Sequence, residues 1–362
     1  MLALNSFGNA YRGRRALVTG HTGFKGSWLC LWLRALGADV TGLALDPTSK
    51  PSHWDLLRLP MNDHRVDVHD EAAVRRVFAE ESPEIVFHMA AQSLVRRSYC
   101  EPVNTWATNV MGTVNVLEAA RHTPGLQAVV VVTTDKCYEN REWAWGYRER
   151  DRLGGHDPYS ASKAACELVA SSYRTAFLQE PSSPLVATAR GGNVIGGGDW
   201  SEDRLIPDLV RAVVARNPLV VRSPQATRPW QHVLDCLSGY LLLGQRLLDG
   251  DATVADAWNF GPGGEGNLSV EEMLRAFRRT WPDIEWQASS GPHPHEANLL
   301  QLDIAKAKAH LGWHPVWGLA DAIHHTADWY RHWIEAGEVS SAGQLDTYVS
   351  DAIASGAGWA TA

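Results

Sequence analysis

The sequence predicts an α/β fold, a doubly wound parallel sheet with a smaller substrate domain interleaved in its C-terminal half. Three observations carry that prediction. Short apolar segments alternate with helix-periodic ones from Ala16 to Ala189, the signature of strands joined by helical crossovers. The first apolar segment runs directly into a glycine turn, Gly20-His21-Thr22-Gly23-Phe24-Lys25-Gly26. The second ends on a carboxylate, Asp46, ~20 residues beyond the last glycine, the offset at which such a fold meets an adenosine ribose.

In chain order, Ala16–Thr19 is the first strand and Ser27–Leu36 the first helix, closed by Gly37. Gly20 permits the tight turn, Gly23 lets backbone approach a pyrophosphate, and Gly26 allows close helix packing, with phosphates on the helix N-terminus. Asp39–Leu45 is the second strand. Its terminal Asp46 reads either as a ribose ligand, which favours NAD over NADP by repelling a 2'-phosphate, or as a cap before Pro47. Arg65–Val68, Glu71–Ala79 and Glu84–His88 follow as strand, helix and strand. The small residues Met89-Ala90-Ala91-Gln92-Ser93 would let a dinucleotide cross the strand ends; Arg97 reads as a phosphate partner or a surface residue.

A helix over Val103–Arg121 leads to Ala128–Val132, a continuous apolar strand of the kind buried on both faces. Thr133-Thr134-Asp135-Lys136 leave its carboxyl end, where doubly wound sheets place ligands. Arg141–Glu149, aromatic and charged, reads as a lid or as a rigid surface loop. Asp157 and Pro158 are N-cap and first helical residue, which sets Tyr159 and Lys163 on one helix face at i, i+4. An ammonium beside a phenol, near the positive end of a helix, is expected to lower the phenol's pKa and make a base usable near neutral pH. Leu185–Ala189 is the sixth strand.

Regular alternation fails after Arg190. Helices are expected at Arg204–Val214, from about Val233 to Leu248, Ser269–Trp281, Asp303–Leu311 and, last, Leu319–Glu335, with a seventh strand at Ala257–Gly261. The predicted dinucleotide-binding domain comprises residues 1–190, 229–262 and 314–335; residues 191–228, 263–313 and 336–362 form the other. His293, His295 and Glu296 lack ligand spacing, so no metal is expected.

Composition excludes several classes. A net charge of −8 on 362 residues argues against nucleic-acid and anionic-membrane surfaces. Five dispersed cysteines, without a C-x-x-C pair, fit a reduced cytoplasmic protein. The first fifteen residues lack a signal-like apolar core, and no apolar run reaches membrane-spanning length.

Several motifs together resemble the extended short-chain dehydrogenases/reductases, and among them the sugar-nucleotide 4,6-dehydratases. They are Thr19-Gly-His-Thr-Gly-Phe-Lys-Gly-Ser-Trp28, Thr134-Asp-Lys-Cys-Tyr138, Arg141-Glu-Trp143, Trp145-Gly-Tyr-Arg-Glu149, Asn193-Val-Ile-Gly-Gly-Gly-Asp-Trp200 and Arg228-Pro-Trp-Gln-His-Val233. Within that group the pattern is similar to the CDP-glucose enzymes, over about Arg15 to Trp333. The resemblance implies a Rossmann sheet holding NAD through Gly20, His21, Thr22, Gly23, Phe24, Lys25, Gly26, Asp46, Asp67, Val68, Ala90, Ala91, Gln92, Tyr159 and Lys163. It implies Ser93, Arg97, Asn193, Arg204, Arg228 and His295 on the nucleotide sugar. Tyr159 would take the C4 hydroxyl proton, with Lys163 holding the phenolate and Thr134 bonding the same hydroxyl. Asp135 would protonate the leaving C6 oxygen, and Lys136 stands where dTDP-glucose relatives carry the C5 base, a Glu. The resemblance also implies a homodimer or homotetramer joined through the helices bearing Val114, Leu117, Leu168 and Val169. A 4-epimerase, a GDP-mannose-type dehydratase and a non-catalytic dinucleotide sensor are the competing expectations; Thr134-Asp135-Lys136 stands against the first and Asp46 against the second.

Overall fold

The computed structural model describes residues 5–289 and 299–361. Its central sheet takes strands β1 (Arg15–Thr19), β2 (Asp39–Ala44), β3 (Asn62–Arg65), β4 (Ile85–His88), β5 (Ala128–Val132) and β6 (Leu185–Gly191). Three short strands follow, β7 (Asn193–Ile195), β8 (Leu219–Val221) and β9 (Thr227–His232), before β10 (Ala257–Phe260) returns to the sheet. The order is β3-β2-β1-β4-β5-β6-β10 and every pairing is parallel. The order reverses between β1 and β4, so their carboxyl ends diverge into the crevice where this topology binds ligands. β1, β4 and β5 are buried along almost their whole length, as expected for strands covered by helices on both faces.

Helices α1 (Phe24–Ala35), α2 (His53–Leu57), α3 (Glu71–Glu81), α4 (Val95–Cys100), α5 (Pro102–Trp106), α6 (Gly112–Arg121) and α7 (Pro158–Ala176) accompany the first six strands. Further on lie α8 (Leu205–Val214), α9 (Val233–Leu248), α10 (Val270–Thr280) and α11 (Leu319–Ala336). A small antiparallel–parallel sheet of β7, β9 and β11 (Asn267–Ser269), and a pair of β8 with β12 (Trp286–Ala288), build the second lobe. Among the described residues no helix is long and apolar enough to cross a membrane.

Four expectations need correction. β3 covers Asn62–Arg65, ending where Arg65–Val68 was expected to begin. The apolar Val66 and Val68 drew the expectation, but β3 is an edge strand, and edge strands are commonly polar; Val68 instead packs beneath Gly112, whose added Cβ would stand 2.7 Å from it. The Val103–Arg121 helix is interrupted by a π-turn at Ala107–Met111, where the Asn109 carbonyl accepts from the Thr113 hydroxyl at 2.6 Å. The segment Asp303–Leu311 is likewise largely a π-turn, Ala307–Leu311, closed by left-handed Gly312. Leu319–Ala336 is not the last helix: α12 (Ser341–Ala354) and α13 (Gly358–Thr361) follow. α12 and α13 pack on α1 and on the N-terminal turn Phe7–Asn9. Trp359 stacks on Phe7 at 4.8 Å and meets Trp32 edge-on at 5.8 Å, while Trp32 meets Tyr348 at 5.6 Å.

Candidate active site

A cavity of about 1160 Å³ opens at the β1/β4 reversal, larger than a single drug-sized ligand needs and ample for a dinucleotide with a second ligand. Its floor is the glycine turn. Gly20 is left-handed, with φ 74°, and a Cβ there would lie 2.7 Å from the Ala90 amide nitrogen. A Cβ on Gly26 would lie 2.2 Å from the Gly20 carbonyl oxygen. Gly23 caps α1, so the first amides of that helix face the cavity with the positive end of its dipole. Thr22, Phe24, Lys25, Asp46, Asp67, Val68, Ala90 and Ala91 also line it. The Asp46 carboxylate is 89% exposed and sits 3.6 Å from Arg65. A cradle that only glycine fits, a helix N-terminus and an acidic strand end together suit NAD.

Three expected ligands point elsewhere. The ring of His21 is buried beneath β2, where Gly42 leaves room for it (a Cβ would be 2.4 Å away). It bonds Asp63 at 2.8 Å and meets Trp54 edge-on at 4.6 Å. Burial lowers its pKa, against the pull of Asp63. The Gln92 side chain folds back on its own loop, donating to the Leu94 carbonyl (3.1 Å) and Thr105 (3.0 Å) and accepting from the Leu94 amide (2.7 Å). Arg97 pairs with Glu101 one helical turn on. Arg96, its neighbour, is the arginine that reaches the cavity, bound to Asp203 at 2.6 Å.

The catalytic candidates meet at one wall. Asp157 caps α7, accepting from the Ser160 amide at 2.9 Å. Tyr159 and Lys163 are both buried and both line the cavity. Lys163 Nζ donates to the Val132 carbonyl at 3.1 Å, and burial lowers its pKa. Burial pushes the Tyr159 phenol up to about 12, while a hydrogen bond with Thr134 pulls it down. This corrects the expectation of a phenol lowered by its helix partner: the dominant influence on Tyr159 in the protein alone is desolvation. Opposite, Thr134 donates to Asp135 Oδ1 at 2.9 Å. Asp135 is buried, and its Oδ2, without a hydrogen-bond partner, lies where a Cβ on Gly192 would come within 3.3 Å. Asp135, Lys136 and Cys137 form a single 3-10 turn.

On the second lobe, Asn193, Arg204 and buried Arg228 line the cavity. Arg204 donates to Ser93 at 3.2 Å and pairs with Asp199 at 3.5 Å, bridging the lobes. Arg222, unforeseen from sequence, binds Asp203 at 2.9 Å beside Arg96; only the charge of Arg96 and Arg222 was visible, not their direction. His295 lies outside the described residues. Among the described residues no group of His, Cys, Asp or Glu could hold a metal.

A protein-family model described as GDP-mannose 4,6 dehydratase matches residues 17–326. The chain belongs to that family. It is 47% identical over 351 residues to the CDP-glucose 4,6-dehydratase of Salmonella typhimurium, covering 94% of this chain and 98% of that one. Among solved structures it is similar to an epimerase from Methanothermobacter thermautotrophicus, with a TM-score of 0.81 and 25% identity over 92% of this chain and 96% of that one. It also matches DesIV, the dTDP-glucose 4,6-dehydratase of Streptomyces venezuelae, solved with NAD and TYD bound, at TM-score 0.74 and 27% identity over 88% and 97%.

Proposed function

We propose that this protein is a lyase that converts CDP-D-glucose to CDP-4-dehydro-6-deoxy-D-glucose and water with bound NAD. The observation that carries the reading is that Thr134, Asp135 and Lys136 enter the cavity that Tyr159 and Lys163 line. The nucleotide rests on the likeness to the Salmonella protein. An epimerase needs Tyr159 and Lys163 but no acid at Asp135.

When bound, NAD supplies the hydride acceptor at C4 and the hydride donor at C6. Gly20, Gly23, Gly26 and the α1 amides would hold its pyrophosphate, and Asp46 its ribose. Tyr159, steadied by Thr134, takes the C4 hydroxyl proton, and Lys163 orients the ring and ribose. The resulting 4-ketone acidifies C5–H. Lys136 takes that proton, Asp135 gives one to the departing C6 oxygen, and water leaves; Lys136 then returns its proton to C5 as C6 is reduced. Arg204 and Arg228 face the substrate pyrophosphate, and Ser93 and Asn193 the sugar side. Incubation with CDP-, dTDP- and UDP-glucose and GDP-mannose, following ketosugar formation, tests the reading; conversion of a different nucleotide sugar in preference to CDP-glucose overturns its substrate assignment.

The assembly we propose is a cytoplasmic homodimer, or a dimer of dimers, joined through α5, α6 and α7. Val103 and Leu168 are 81% and 61% exposed there, with Trp106 and Met111 beside them. Leu117, expected at this contact, is fully buried within the subunit, and Val169 packs on the same core. A monomer mass at all concentrations in sedimentation refutes this assembly.

A further inference from the structure

Behind the cavity, a chain of buried polar side chains ties the two halves of the catalytic wall together. Glu167 lies one turn beyond Lys163 and two beyond Tyr159, on the same face of α7. Its carboxylate accepts from Thr133 and from Thr188 (2.7 Å), and pairs with Arg190 at 2.8 Å. Both members of that pair are only 3% exposed. Arg190 donates its other amino group to the Tyr138 hydroxyl at 2.7 Å and to the Glu149 carbonyl at 3.0 Å. Tyr138 in turn donates to Asn259 on β10 at 2.7 Å. Burial raises the Glu167 pKa, but Arg190 and the hydroxyl donors outweigh it and hold the carboxylate ionised.

Thr133 and Tyr138 flank the turn that carries Thr134, Asp135 and Lys136. The turn itself is loosely closed: its internal bonds, Lys136 N to Thr134 Oγ1 and Cys137 N to the Thr134 carbonyl, are both 3.3 Å, near the long limit of a hydrogen bond. Tyr159 and Lys163, by contrast, ride on a capped helix of 19 residues.

We propose that the Glu167–Arg190 pair is a positioning device that fastens both ends of the 134–137 turn against the Tyr159/Lys163 face, and that it serves elimination, which draws Asp135 and Lys136 from the turn, more than C4 oxidation, which draws only Thr134 from it. The inference rests on the proposed reaction. Neither residue touches the cavity. Loss of the pair lets the turn drift while α7 stays in place, and misplacement by ~1 Å costs as much as about 100-fold in a step that depends on it.

Rapid mixing of NAD-loaded wild type, Glu167→Gln and Tyr138→Phe with CDP-glucose separates the steps through nicotinamide absorbance. Tyr138→Phe removes one hydroxyl and guards against a Glu167→Gln protein that does not fold. The expected result is an elimination slowed about tenfold or more and a first hydride transfer, which depends on the turn only through Thr134, slowed distinctly less, so that reduced nicotinamide accumulates. Amide hydrogen exchange should quicken at 134–138 and stay unchanged over 159–167. Equal slowing of both steps, or wild-type kinetics with unchanged exchange, overturns the proposal. A wild-type enzyme that converts none of the nucleotide glucoses removes the reaction assignment instead, and the exchange pattern then decides the clamp alone.

Discussion

Stripping NAD from the enzyme should change the proton affinity of Tyr159, and the direction of the change follows from the site. In the protein alone, burial sets the phenol at about 12, so near neutral pH it is protonated and cannot act as a base. Bound NAD would bring the one positive charge of its oxidised nicotinamide ring into the cavity that Tyr159 lines, and a cation near a phenol favours the phenolate. Tyr159 should therefore titrate at a lower pH in the NAD complex than in the protein alone, and the rate of C4 oxidation should climb with pH as phenolate forms. Tyrosinate difference absorbance, wild type minus Tyr159→Phe, measured with and without NAD, reads it directly. The stability sign is fixed too. The folded value without NAD lies above the unfolded value of 10.0, so the unfolded chain loses its proton first and stability falls as pH rises from about 10 to about 12. Tyr159→Phe should remove roughly 3 kcal/mol of that loss. A Tyr159 titration at the same pH with and without NAD refutes the argument, because it would mean that the nicotinamide charge does not reach the phenol.

Asp135→Asn keeps the shape of the turn but removes the acid, so enzyme-bound reduced nicotinamide should accumulate ahead of a slowed elimination, whereas Tyr159→Phe should block its formation at a cost of roughly 100-fold or more; stopped-flow absorbance distinguishes them. Asp46→Arg places a second cation beside Arg65, now 3.6 Å from the carboxylate, and should weaken NAD and improve NADP, as read by isothermal titration. Gly26→Ala drives a methyl to 2.2 Å from the Gly20 carbonyl, more than an ångström inside contact; it should cost about 1–3 kcal/mol in thermal unfolding and weaken NAD measurably.

What the sequence determined by itself was whatever depends on neighbours a few residues apart. The alternation of apolar strands and helices, the glycine turn and the Asp157-Pro158 cap are local patterns, and they appear where the chain places them. The Tyr159/Lys163 face and the polar residues leaving β5 were legible for the same reason: i, i+4 spacing and strand ends are properties of the segment alone. Tertiary structure decided the rest. Arg96 rather than Arg97 enters the cavity because of how α4 seats on its neighbours, which adjacent arginines cannot reveal. His21 turns under β2 because Gly42, on another strand, leaves a space for its ring. Trp359 finds Phe7 only when the two ends of the chain meet. The largest departure was electrostatic: spacing predicted a lowered phenol at Tyr159, yet burial by residues distant in sequence raised it. Desolvation sums over everything packed around a group, and no local pattern carries that sum.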